Sequence, residues 1–170
     1  MSQGESLPFI QEPIPRSRWL APLTICAGSL VTALFPAVAT IPFLPPFGLL
    51  MLLGWRLQRP DAIPVWATAL LGLFDDLFSG QPLGSAMLLW STCVLAIDVL
   101  DTRLVWRDYW QDWLLAGGAI GFCLVAGRFL ATPFAAHVDT ALLPQIVASC
   151  ALYPLATRIC VWLDPDPEER

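Results

Sequence analysis

Apolar residues run along this chain in long uninterrupted blocks. From Trp19 to Trp55 there is no charged residue for 37 positions. A helix that crosses a bilayer needs about 20 mostly apolar residues, so this block is too long for one crossing and suits two. The break falls at Pro36, Pro42, Pro45 and Pro46, because proline lacks the helical N–H donor and clashes with the preceding turn. The pattern predicts a first span near 19–38 and a short second one near 44–57, kinked or shielded by its neighbours. Four further apolar blocks predict spans near 63–78, 83–100, 113–130 and 142–162.

Composition strengthens this reading. Charged residues make up 14% and mean hydropathy is +0.65, whereas a soluble domain carries about 25% charged residues. The expected fold is therefore all-α: one polytopic helix bundle with six transmembrane helices. A cytoplasmic tail (1–18) precedes the membrane domain (19–163), and an acidic tail (164–170) follows it. Arg16 and Arg18, the apolar run that follows and Ala37-Val38-Ala39 superficially resemble a signal peptide. The polar stretch in front and the equally apolar remainder favour an uncleaved first span.

Charge placement orients the set. The chain has no lysine, and cytoplasmic loops collect basic residues. With six spans and both termini inside, eight of the nine arginines are cytoplasmic and only Arg128 lies toward the other side. Indoles favour the headgroup level. Trp19, Trp55, Trp66, Trp106, Trp110, Trp113 and Trp162 then share the cytoplasmic interface, and Trp90 alone departs. The loop 101–113 reads as an ordinary aromatic-belt loop, the alternative being a segment that lies along the membrane surface with its aromatics dipping in. The scattered arginines form no clustered basic face, so no nucleic-acid partner is expected. Five separated cysteines and one histidine give no converging metal ligands, and no cofactor is expected. The cysteines read as small buried hydrophobes.

One stretch carries unusual polarity: G-L-F-D-D-L-F-S-G-Q-P-L-G, residues 72–84. Asp75 and Asp76 follow 13 uncharged residues and precede 21 more. Adjacent residues of a helix point about 100° apart, so the two carboxylates cannot share a face. They sit at a helix C-terminus, where the dipole disfavours anions, and must find donors. One set is the free N–H groups of the 79–84 turn and the start of the next helix. The other is Arg128, at a similar depth on the fifth span. Pro82 suits the first turn of the fourth helix. Acid–base catalysis by two carboxylates requires that they face each other, which neighbours on one helix do not. The stretch also begins like a D-D-x-x-D metal motif, but Ser79 replaces the last acid. The acids are expected to fix the turn and lock helices together. Gly117 and Gly121 form a small-xxx-small pair of the kind that favours close helix packing.

The 72–84 stretch resembles the signature of the MreD family of bacterial rod shape-determining membrane proteins, through Gly72, Asp75 or Asp76, Gly80, Pro82, Leu83 and Gly84. The resemblance implies a multi-pass inner-membrane protein of the cell-elongation (peptidoglycan synthesis) machinery with no enzymatic activity. It implies association with an MreC-like single-span protein, with MreB, with RodA and with a class B penicillin-binding protein. It also implies a fold similar to the six-helix substrate-binding components of vitamin transporters. Two other classes remain open on the residues: a small-molecule-binding subunit of a transporter, and a membrane enzyme acting on a lipid-linked substrate with polar groups converging on Asp75, Asp76 and Arg128.

Overall fold

The computed structural model describes residues 17–34, 45–79, 82–103, 109–131 and 142–164. They form six α-helices and no strand: α1 (Ser17–Leu34), α2 (Phe47–Gln58), α3 (Val65–Ser79), α4 (Ser85–Asp101), α5 (Tyr109–Ala131) and α6 (Leu142–Leu163). A 3-10 turn, Pro60–Ala62, links α2 to α3. The helices coincide closely with the blocks expected from hydropathy. α5 begins earlier than expected and takes in Tyr109 and Trp110. Gly80, Pro36, Pro42 and Trp106 lie outside the described residues.

Helix α2 is the axis of the bundle. Gly48 through Leu57 are all buried, with α1, α5 and α6 packed around it. Twelve residues rise only about 18 Å, well short of a hydrocarbon core of about 30 Å. Its shortness is tolerated because its neighbours, and not lipid, surround it. Helix α3 packs between α1 and α4, and α5 between α4 and α6.

Contacts along α2 demand small residues. A Cβ at Gly54 would meet Cys160 Sγ at 3.0 Å, and one at Gly28 of α1 would meet the Phe47 backbone at 3.0 Å. Trp55 is 1% exposed, and its indole N–H donates to Thr24 Oγ1 at 2.8 Å. Trp55 is therefore a core residue and not part of the expected interfacial belt; α2 is enclosed, so its tryptophan meets protein before headgroups. Trp19, Trp66, Trp110 and Trp162 are exposed.

The outer surface is apolar as well. Leu23, Leu70, Leu77, Leu88, Leu143 and Val147 are all exposed, the pattern of a bundle with lipid for a solvent. Helices α5 and α6 are long and apolar enough to cross a membrane. Pro154 interrupts α6 and cannot donate to the carbonyl of Cys150, four residues earlier. The Trp113 indole of α5 donates to that carbonyl at 3.3 Å, which ties the two long helices together where the proline would weaken one.

Candidate functional site: a carboxylate clamp at a helix hairpin

The chain between α3 and α4 must reverse direction and start a helix with no capping side chain of its own. Gly84 stands at the N-cap of α4 with φ +93° and ψ −6°, a left-handed conformation that glycine adopts without a Cβ penalty. The Ser85 N–H donates to the Pro82 carbonyl at 3.1 Å. Pro82 to Ser85 is thus a turn with glycine at its third position, as a type II turn requires. Pro82 heads this turn and does not enter the helix as expected. Leu83, between them, is exposed.

Asp76 supplies the missing cap from the other helix. Its carboxylate, on a residue 2% exposed, accepts from Gly84 N–H at 2.9 Å, Ser85 Oγ–H at 2.9 Å, Ala86 N–H at 2.9 Å and Met87 N–H at 3.3 Å. The first N–H groups of a helix have no partner within it, and its N-terminus carries partial positive charge. Here one carboxylate answers both, and the α3 C-terminus that disfavours an anion is outweighed by four aimed donors.

Gly72 makes the clamp reachable. A Cβ there would lie 2.7 Å from Met87 Cα and 2.8 Å from Ala86 O, so α3 and α4 meet backbone to backbone one turn below Asp76. Gly72→Ala is expected to destabilise the protein by about 1–3 kcal/mol through overpacking, read as a lower midpoint of thermal unfolding in detergent. Gly121→Ala, where a Cβ meets nothing within 4 Å, should be neutral or slightly stabilising; equal losses at the two sites would refute this account. Among the described residues the Gly117–Gly121 pair makes no tight helix crossing: Gly117 alone of the two has a neighbour, Cys150 Sγ at 3.5 Å.

Asp75 looks elsewhere, as the helical angle requires. A Cβ on Gly48 would meet Ser29 Oγ at 2.3 Å, Trp90 at 3.1 Å and Asp75 Oδ1 at 3.3 Å. Asp75 thus converges with α1, α2 and α4 on the bare backbone of Gly48. This explains why Trp90 leaves the aromatic belt: it is buried against α2. The two aspartates serve two different helix interfaces and form no acid–base pair. Arg128 is exposed in the last turn of α5, which packs on α4 and α6, while Asp76 is already saturated by residues 84–87. Among the described residues no ion pair joining Arg128 to Asp75 or Asp76 is seen.

A second polar locus escaped the sequence reading. At the opposite end of the bundle, Arg56 of α2 is 8% exposed. Its guanidinium forms a salt bridge with Asp98 of α4. It also donates to the carbonyls of Pro60 and, at 3.2 Å, Ile63. Arg59 pairs with Asp164 past the end of α6. The ends of α2, α4 and α6 are thus joined by charge at one end of the molecule, and the α3–α4 turn marks the other. The depth argument applied to Arg128 would have found Arg56 and Asp98 had it been applied at this end.

No curated protein and no solved structure matches the chain, so the expected likeness to vitamin-transporter components has no support. The family of the rod shape-determining protein MreD matches residues 16–160. That span contains every helix of the clamp and nearly all of the bundle, and the chain belongs to the MreD family.

Proposed function

We propose that this chain is a non-catalytic scaffold of the bacterial cell-elongation machinery. It crosses the inner membrane six times, with both termini in the cytoplasm. It holds an MreC-like single-span protein and, with it, takes part in an assembly with MreB, RodA and a class B penicillin-binding protein. The observation that carries this reading is membership of a family of rod shape-determining membrane proteins over residues 16–160. The site supports it: the carboxylate that might have done chemistry is consumed in capping α4, and its neighbour faces another helix interface. The arginines support the orientation, since the helix ends joined by Arg56 and Arg59 are those that cytoplasmic basic residues would mark.

Affinity capture of the tagged chain from solubilised membranes tests the role. The expected result is recovery of a single-span protein with a large extracytoplasmic part; recovery of transporter ATPases in its place would overturn the scaffold reading. Topology is tested separately. Reporters fused at the C-terminus should be cytoplasmic and one inserted at Gln81 extracytoplasmic. An external C-terminus would rule out six spans with an internal start.

A further inference from the structure

A cavity of about 640 Å³ opens where the last turns of α2 and α6 meet the first residue of α5. Gln58, Tyr109, Thr157, Arg158 and Trp162 line it, with Pro154 further along α6. Since α5 and α6 are long enough to cross a membrane, their ends lie at headgroup level, where tyrosine and tryptophan are at home. The cavity is open to the outside, which suits a headgroup held at the surface better than an enclosed small molecule.

The chemistry of the wall is one-sided. Arg158 is the only charged residue, and no carboxylate is present, among the described residues that line it. Arg56 and Arg59 are engaged by Asp98 and Asp164. Arg158 makes no ion pair with a described residue. The Tyr109 hydroxyl and the Gln58 amide add neutral donors. Thr157 spends its hydroxyl proton on the Tyr153 carbonyl, at 2.7 Å. Pro154, one turn from Arg158 along α6, and Val161 supply the aliphatic part of the wall.

We propose that this cavity binds an anionic phospholipid, with the Arg158 guanidinium on the phosphodiester. Guanidinium–phosphate bonds are charge-assisted and directional. Tyr109 and Gln58 are placed to donate to the phosphate or to headgroup hydroxyls, and Pro154 and Val161 face the apolar part of the lipid. A choline or ethanolamine headgroup would bring an ammonium that no carboxylate among the described wall residues receives. The site requires only that α5 and α6 end at a membrane interface. It does not depend on the partners or on the orientation proposed above.

The test uses the full chain in nanodiscs of equimolar phosphatidylglycerol and phosphatidylcholine, followed by native mass spectrometry of the retained lipid. Basic groups near an anionic surface contribute about 1 kcal/mol each, so a roughly fivefold enrichment of phosphatidylglycerol is expected. Arg158→Gln should abolish it. Arg103→Gln, an exposed arginine outside the cavity, should leave it intact. Equal retention of the two lipids, or enrichment unchanged in Arg158→Gln, would overturn the proposal. So would complete displacement of the lipid by inorganic phosphate, which would make the site one for a free anion.

Discussion

Replacing Asp76 by alanine is expected to lower the stability of the protein by about 3–5 kcal/mol, more than any other change in the 72–84 stretch. Loss of a capping side chain alone costs about 0.5–2 kcal/mol. Here the same side chain also satisfies four donors, and each buried donor left without an acceptor costs about 1–3 kcal/mol. These losses do not add in full, because the turn can relax and admit water. Asp76→Asn sharpens the test. Its carbonyl oxygen can still accept from Ser85 Oγ and Ala86 N–H, which meet Oδ1. Its amide nitrogen then faces the N–H groups of Gly84 and Met87, which meet Oδ2, donor against donor. An intermediate loss of about 2 kcal/mol is expected. Asp75→Asn, outside the clamp, should cost clearly less. The measurement is thermal unfolding of the purified protein in detergent, together with its level in membranes. Any cell-shape defect of the Asp76 variants should track that level. An Asp76→Asn protein as stable as wild type would show that the hairpin is held by packing alone.

The helices were legible because hydropathy reports solvent, and apolar residues fill both the core and much of the outer surface of the described helices. Helix α2 shows where that signal thins. Its apolar sequence says only that it avoids water. That it avoids lipid too follows from Gly28 and Gly54, whose missing side chains let α1 and α6 close around it. A glycine in an apolar run does not announce which neighbour it admits. Asp76 was legible for another reason: a buried carboxylate must be answered, and the nearest unanswered N–H groups in the chain were those starting α4, whereas nothing in the sequence pointed Asp75 toward Gly48. For Arg128, similar depth is a necessary condition for contact and not a sufficient one. Depth is one coordinate, and the order of helices around the bundle, which places α5 beyond α4, is another that hydropathy does not carry. Arg56 was hidden by a sound rule. Arginine after an apolar run marks the cytoplasmic side, and that reading left no reason to look for a partner across the bundle.

Arg56 and Asp98 should prove strongly coupled. The arginine side chain is 10% exposed and that of Asp98 30%, so removing either partner strands the other in a poorly solvated place. Breaking a buried ion pair from one side typically costs about 3–5 kcal/mol. Arg56→Met should approach that figure, because the carbonyls of Pro60 and Ile63 lose a donor together with Asp98. Asp98→Asn should cost only about 1–2 kcal/mol, since the arginine keeps both carbonyls and the partly exposed position admits water. The double variant leaves no orphan charge. Its loss should fall short of the sum of the single losses by about 1–2 kcal/mol. Arg56→Lys separates charge from shape. An ammonium is a point charge and cannot reach as a planar fork to a carboxylate and two carbonyls at once, so lysine should restore only part of the stability. The measurement is the same unfolding experiment run as a double-mutant cycle. Strict additivity would show that Arg56 acts through the two carbonyls alone, pinning the turn after α2, and that Asp98 is a bystander at the end of α4. Coupling of the expected size would make this pair the counterpart of the Asp76 clamp. One fastens α4 to α3 through a helix N-terminus, and the other fastens α4 to the central helix through its last turn.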